Sequence, residues 1–350
     1  MSNSQKNKTI RVGISIGDIN GIGPEVILKT FSDNRMLDFV TPVIYSSAAL
    51  LSAHRKSLDL PALAHTNLEE GMEAKSKTLY IKKCWDNDPE LNIGVETPEG
   101  GEYAIKSLKA ATDDLAASKI DVLVTAPINK HNVQSSEFNF PGHTEFLAKL
   151  SNVDNALMLM VADNLRVAVV SGHIPLKDVA KNLTKEKIVN SLVQLNDSLI
   201  KDFGITRPKI AVLGLNPHAG DNGVIGDEEK DIISPAIADA KGKGMMAFGP
   251  YSADGFFGSS VYNQFDGVLA MYHDQGLVPF KSLSFGNGVN FTAGLPIVRT
   301  SPDHGTGFDI AGKNQASESS FRNALYLAVD IYKSRKMHKE ISSNPLQKQK

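Results

Sequence analysis

Three histidines in this 350-residue chain stand where an apolar run stops: "VAVVSGH" ends at His173, "IAVLGLNPH" at His218 and "VLAMYH" at His273. In an open parallel sheet, ligands bind beyond the carboxyl ends of the strands, and neutral imidazoles placed there can share one divalent cation while leaving positions open for a substrate's oxygens. The separations of 45 (218 − 173) and 55 (273 − 218) residues exclude a local metal motif, so only the fold or a second subunit can bring the three together. Taken singly, each reads as a capping or hydrogen-bonded residue; the repetition is what points to a metal.

Carboxylates accompany these histidines. Asp274 and Gln275 follow His273, Asp254 lies in "GPYSADGFF", and the Gly-rich acidic loop "AGDNGVIGDEE" follows His218. They can orient ligands, complete a metal site or cap turns, Asp227 being a natural N-cap.

A second set suits an anion. In "FPGHTEFLAKL" the Pro141-Gly142 turn leads into a helix opened by His143 and Thr144, where free N–H groups and the helix dipole favour negative charge; a plain cap is the alternative. Lys281, Asn290 and Arg299 are spread through "PFKSLSFGNGVNFTAGLPIVRTSP", and Arg299 follows the apolar "LPIV", where a phosphate or carboxylate partner accounts for it better than solvent does. The turn "NGIGP" has neither the Lys-Ser/Thr of a P-loop nor the G-x-G-x-x-G pattern, and reads as glycine used for backbone geometry.

The elements that must carry these residues alternate regularly. "TIRVGISIGD" is a short apolar strand, "INGIG" a turn, and "PEVILKTF" a helix with Pro24 in its first turn. The pattern recurs in "VTPVIYSS" with "AALLSAHRKSL", and in "TPEGGEYAIKSLKAATDDLAASKI" leading to "DVLVTAPINK". It continues through "NLRVAVVSGHIPL", the amphipathic "KEKIVNSLVQLNDSLIKDFG", "PKIAVLGLNPHAG", "DEEKDIISPAIADAKGKG" and "FDGVLAMYHDQ" to a closing helix, "SESSFRNALYLAVDIYKSRK". Such alternation predicts α/β architecture: two α/β/α domains with mostly parallel sheets. Size and the change in motif character place the division near residue 140, giving 1–139 plus 305–350 as the first domain and 140–304 as the second. The tail "EISSNPLQKQK" has no apolar periodicity and reads as loose.

Composition narrows the function classes. With 41% hydrophobic and 22% charged residues, and 37 Lys plus Arg against 39 Asp plus Glu, no global field directs the chain to nucleic acid or an anionic membrane. A single cysteine, Cys84, excludes an internal disulfide framework and suits a reducing compartment. The polar "MSNSQKNKTI" has no apolar core of a signal peptide, and no apolar run nears the roughly 20 residues that span a bilayer, so the expectation is a cytoplasmic protein.

Eight blocks in order over residues 10–315 carry a resemblance: "GIGPE", "TAPINK", "PGHTEFLA", "GHIPL", "GLNPHAG", "AMYHDQG", "GVNFTAGLP" and "RTSPDHGTGFDIAGK". Together they resemble the 4-hydroxythreonine-4-phosphate dehydrogenase family of pyridoxal phosphate biosynthesis. The last block is also similar to the nucleotide-binding loop of isocitrate and isopropylmalate dehydrogenases. The resemblance implies an isocitrate/isopropylmalate dehydrogenase-like fold with the active site in a cleft between the domains, and a homodimer that shares its sites across the interface. It implies that His173, His218 and His273 bind one divalent metal ion (Zn, Mg or Co), one ligand coming from the partner. It assigns substrate binding to His143 and Thr144 of one subunit, with Lys281, Asn290 and Arg299 as the partner's set, and cofactor binding to His304, Gly305 and Thr306.

The activity implied is oxidation of 4-phosphooxy-L-threonine at C3 with NAD or NADP, then decarboxylation to 3-amino-2-oxopropyl phosphate, with Lys281, Asp254 and Asp274 as candidates for the base that takes the hydroxyl proton. A dehydrogenase of threonate or erythronate 4-phosphate, sugar-acid phosphates, needs the same metal and phosphate ligands and is the alternative; a phosphate acyltransferase on a related fold would need neither metal nor histidine triad. Ile19 and Asn20 replace the usual Pro-Ala of "GDPAGIGPE", "SADGFF" departs from "PADTxF", and Gly307 stands where Ala is common.

Overall fold

The computed structural model describes residues 9–135, 138–154 and 156–343. The chain forms two compact units. One holds the sequence up to Leu147 together with Ile297–Val329; the other holds Ala148–Pro296 and the chain from Asp330 on.

The first unit is built on β1 (Ile10–Ser15), β2 (Val40–Tyr45), β3 (Thr66–Asn67), β4 (Tyr80–Lys82) and β5 (Val122–Thr125), with a late strand, Arg299–Pro302, returning beside β5. The spatial order is β3, β4, β2, β1, β5 and the late strand, and every pairing is parallel. Ile14 of β1 lies level with Ile44 on one side and Val124 on the other. All six residues of β2 are buried, the signature of a strand covered on both faces. The covering helices start where the sequence supplies caps: Ser47 accepts from Leu50 N for Ala48–Ser57, and Thr97 accepts from Gly100 N, with Pro98 following, for Pro98–Ala116. Ser107, fully buried on the second helix, donates to Tyr45 O at 2.6 Å and accepts from Ile16 N at 3.0 Å, locking helix to sheet.

The second unit contains β6 (Leu157–Ala162), β7 (Leu165–Ser171), β8 (Lys209–Leu213), β9 (Met246–Tyr251), β10 (Gly267–Tyr272) and β11 (Val289–Ala293), in the order β11, β6, β7, β10, β8, β9. From β7 through β9 the strands are parallel; β6 pairs antiparallel with β7 and with β11. The late strand of the first unit is therefore β12 (Arg299–Pro302). On the helix Lys185–Lys201, capped by Thr184, the residues Ile188, Leu192, Leu195 and Leu199 are buried at three- and four-residue spacing. The helix His273–Ser284 approaches the sheet at Gly276, where a Cβ would stand 3.0 Å from Val167 Cγ1.

The mostly parallel α/β expectation describes both units, but the boundaries differ from those read in sequence. Residues 140–147 and 297–304 belong with the first unit, because Phe146 packs on Phe138 and Phe140 and because β12 pairs with β5. The chain beyond Asp330 belongs with the second, where Arg335 binds Asp202 at 2.5 Å and donates to Leu295 O. Glu340–Ser343 extend the closing helix Ser319–Ser343, and the rest of the supposedly loose tail lies outside the described residues, as do residues 1–8.

Candidate active site

In the first unit the anion set is assembled around Arg299. β12 opens at Arg299 beside Leu123, so the side chain lies at the carboxyl end of β5, where the guanidinium donates to Thr125 Oγ1 from Nε (3.0 Å) and Nη2 (2.6 Å). Nη2 also donates to His143 Nδ1 at 3.1 Å. A guanidinium can only donate, so His143 Nδ1 must accept and the ring proton resides on Nε2. Burial, reinforced by the charges of Arg299 and Lys130, holds the imidazole pKa well below its usual value, so the ring is neutral. Its Nε2–H is buried and has no hydrogen-bond partner among the described residues. A buried donor beside a cation, at the start of the helix His143–Leu150, is an anion seat. Burial brings Arg299 down to about 10, which leaves it charged at neutral pH. Thr144 is half-buried beside it.

Two contributors to this seat were given no role from sequence: Thr125, which anchors the guanidinium, and Lys130, whose charge reaches His143. The signal available was "TAPINK", which starts where β5 ends. Arg299, grouped in sequence with the partner's set, hydrogen-bonds His143 within the same chain.

The loop assigned to the cofactor lies in the same unit. Ile22 N donates to Thr306 O at 2.8 Å, and His304 Nδ1 sits 3.0 Å from Gly305 O. A Cβ on Gly21 would stand 2.7 Å from Thr306 O, so this glycine permits the turn to meet the loop.

In the second unit the three histidines follow three adjacent strands. β10 lies between β7 and β8, parallel to both; His173 comes two residues after β7, His273 directly after β10, and His218 five residues after β8. The His173 and His273 ring centroids are 5.8 Å apart, near the roughly 5 Å expected of two imidazoles on one tetrahedral zinc with Zn–N of about 2.0–2.1 Å. His273 Nδ1 lies 2.6 Å from Asp274 Oδ1, a pairing that leaves Nε2 outward as the ligand atom. The donor chemistry therefore fits a divalent cation. Within one chain the set is open: among the described residues no three His, Cys, Asp or Glu side chains stand close enough to hold a metal ion.

His218 is presented on a run of left-handed residues, His218, Ala219, Gly220, Asp221 and Asn222. Four non-glycine residues in that region must be held by their surroundings. Glu229, 5% exposed, does much of this: Oε1 accepts from Leu215 N (2.6 Å) and Asn216 N (2.7 Å), and Oε2 from Asn216 Nδ2 (2.9 Å). Gln275 joins the ends of β8 and β10, donating to Gly214 O at 2.6 Å and accepting from Met271 N at 2.7 Å. Sequence reading passed over Glu229 because "GDEE" resembles any acidic helix start.

The candidate bases are dispersed. Asp254 is exposed and held below the usual carboxylate pKa chiefly by the Ser252 hydroxyl, with His218 a lesser influence. Lys281 is exposed on the helix His273–Ser284, eight residues (281 − 273) past His273, a rise of about 12 Å that separates the two in one chain. Asn290, on β11 opposite Met160, has a buried Oδ1 without a hydrogen-bond partner among the described residues.

Residues 38–328 match the family model described as pyridoxal phosphate biosynthetic protein PdxA. The chain belongs to the PdxA family. A 4-hydroxythreonine-4-phosphate dehydrogenase from Bacteroides thetaiotaomicron is 50% identical over 99% of this chain and 94% of its own length. A D-threonate 4-phosphate dehydrogenase from Salmonella typhimurium is 38% identical over 93% and 99%. Among solved structures, the 4-hydroxythreonine-4-phosphate dehydrogenase of Klebsiella pneumoniae superimposes with a TM-score of 0.78 at 33% identity, covering 95% of this chain and 99% of its own. An isocitrate dehydrogenase from Methylococcus capsulatus shares the fold, with a TM-score of 0.50 at 12% identity over 96% and 89% of the two chains. No helix among the described residues is long and apolar enough to cross a membrane.

Proposed function

We propose that this PdxA-family chain is a dehydrogenase that oxidises 4-phosphooxy-L-threonine at C3 with NAD or NADP and a divalent metal ion, followed by decarboxylation to 3-amino-2-oxopropyl phosphate in pyridoxal 5'-phosphate biosynthesis. The observation that carries the reading is the placement of His173, His218 and His273 at the carboxyl ends of three adjacent parallel strands. When bound, the cation supplies Lewis acidity at the substrate hydroxyl and the nicotinamide accepts hydride.

The chain's own residues do the rest. Arg299 and the neutral His143, donating from Nε2, hold the substrate phosphate with Thr144, completed by the partner subunit's Lys281 and the partner subunit's Asn290. The hydroxyl proton passes to a base drawn from Lys281, Asp254 and Asp274 as hydride leaves C3. The resulting β-keto acid loses carbon dioxide, the C1–C2 electron pair moves toward the C3 carbonyl, and a proton arriving at C2 gives the aminoketone. His304, Gly305 and Thr306 face the dinucleotide.

A homodimer supports the metal site. Leu176 and Val224 are exposed apolar residues in the segments that follow β7 and β8, the edge that carries the histidines, and Val278 and Phe285 are exposed on and just past the helix that starts at His273. Apolar surface around a metal set left open in one chain suits a second copy. A single cysteine and near-neutral charge suit the cytoplasm.

The test is absorbance at 340 nm after mixing the purified protein with 4-hydroxy-L-threonine 4-phosphate and NAD or NADP, with and without prior EDTA. A metal-dependent rise supports the reading; none with either dinucleotide in metal-replete protein overturns the substrate. The relative named for D-threonate 4-phosphate favours that compound as the second substrate to assay.

A further inference from the structure

Asn20 is fully buried, and every polar group it has is used. Its N–H donates to Asp18 Oδ1 at 2.9 Å, its carbonyl accepts from Gly94 N at 2.8 Å, its Oδ1 accepts from Asn92 N at 2.8 Å, and its Nδ2 donates to Thr97 Oγ1 at 3.0 Å. Two of these bonds come from the side chain, and alanine cannot make them.

The segment so held lies directly against the 304–312 loop. A Cβ on Gly94 would stand 3.1 Å from Phe308 O, and one on Gly312, whose φ is +75°, would stand 2.8 Å from Ile93 Cγ2. On the other side the turn that contains Asn20 meets the same loop through Ile22 N and Thr306 O, 2.8 Å apart. One buried amide thus ties together both surfaces on which the loop rests.

We infer that Asn20 is a positioning residue for the dinucleotide-binding loop, holding residues 304–312 in their binding shape before the cofactor arrives. The inference rests on the assignment of His304, Gly305 and Thr306 to the cofactor. Its physical content is preorganisation: a loop already ordered loses less conformational entropy on binding, so removing the tie weakens cofactor affinity without altering the chemical step.

The experiment uses full-length Asn20→Ala, with Asn20→Ser as a second variant that keeps a small polar group should the first fail to fold. NADH and NADPH fluorescence titration gives the cofactor Kd, steady-state kinetics give KM for each substrate and kcat, and amide hydrogen exchange of the cofactor-free protein follows the 91–95 and 305–312 segments. The expected result is a rise of about five-fold in dinucleotide Kd and KM, the effect of one net hydrogen bond, with kcat and the phosphorylated substrate's KM within about two-fold. Exchange in both segments quickens. A folded variant with unchanged dinucleotide Kd overturns the inference while the cofactor assignment stands. A parallel loss in kcat and in both KM values overturns it in favour of general weakening. Wild-type protein that binds neither dinucleotide removes the cofactor assignment and the inference together.

Discussion

Arg299 donates from Nη2 to His143 Nδ1 across 3.1 Å, and that bond fixes the tautomer of a buried imidazole. Because Nδ1 is occupied as an acceptor, the only donor the ring can offer is Nε2–H, next to a guanidinium clamped on Thr125. The seat is positive without His143 being protonated. It therefore suits an anion across the whole neutral range.

Arg299→Lys keeps the charge but gives up the planar fork that reaches Thr125 and His143 together. With hydrogen bonds to charged groups worth about 1.5–3 kcal/mol each, kcat/KM should fall about 100-fold or more, largely through KM for the phosphorylated substrate. Steady-state kinetics check this, with inorganic phosphate as a competitor: its inhibition should weaken in parallel. Wild-type kinetics in Arg299→Lys would remove the seat from substrate binding.

The strands read from sequence were those with continuous apolar runs: β1, β2, β5, β7, β8 and β10 all appear where "RVGIS", "VIY", "VLV", "RVAVV", "IAVL" and "VLAMY" stand. Six strands were not read: β3, β4 and β12 are short, lack a continuous apolar run and owe their existence to a neighbour, Gly249 and Pro250 interrupt β9, and β6 and β11 pair antiparallel, outside the strand–helix alternation. Residue types alone placed the three histidines at a sheet edge, since a strand's end and a histidine are both local. Glu229 and Asn20 were not legible, because their roles depend on backbone groups that only tertiary structure brings near. The domain boundaries were displaced for the same reason: the aromatic contacts of Phe146 and the return of β12 are long-range.

The metal reading makes a graded prediction. His218→Ala should abolish activity while leaving the protein folded, and activity above about a tenth of wild type counts against its ligand role. Asp274→Asn should act more mildly on the metal, because Asp274 touches it only through His273, lowering metal affinity about 10–100-fold. Metal content after dialysis against graded chelator measures both. Equal metal retention in wild type and Asp274→Asn would leave the 2.6 Å contact without a function in binding.

Acid should destabilise the fold through its buried histidines. His54 is 1% exposed, donates from Nε2 to Ile19 O at 2.8 Å, and is pushed down by burial to about 4 from an ordinary 6.5. Between those values the unfolded chain binds a proton that the folded chain refuses, so stability rises with pH across the window. The contribution is fully present above pH 6.5 and is lost as pH falls toward about 4, roughly 3 kcal/mol for this residue. His143 adds in the same sense, being lowered by burial too. Thermal melts between pH 4.5 and 7.5 should show Tm falling with acidity, and less steeply in His54→Gln, whose amide can still donate to Ile19 O. Parallel slopes in the two proteins would exclude His54 as a source.

The exposed apolar residues give the last prediction. Phe285 is 86% exposed and Val224 81%, unusual values for side chains whose transfer from water is favourable by about 1.5–3 kcal/mol. Phe285 also closes its helix in the left-handed region at φ 48°, a conformation an aromatic residue seldom adopts. In a homodimer these residues are covered, so Phe285→Asp combined with Val278→Glu should shift the mass measured by light scattering after gel filtration from dimer to monomer. Because no metal-holding set closes among the described residues of one chain, the monomer should also lose bound metal and activity, while the far-ultraviolet circular dichroism stays native. A monomer that keeps stoichiometric metal would show that one chain closes the site alone, and a double variant that stays dimeric would move the interface to another face.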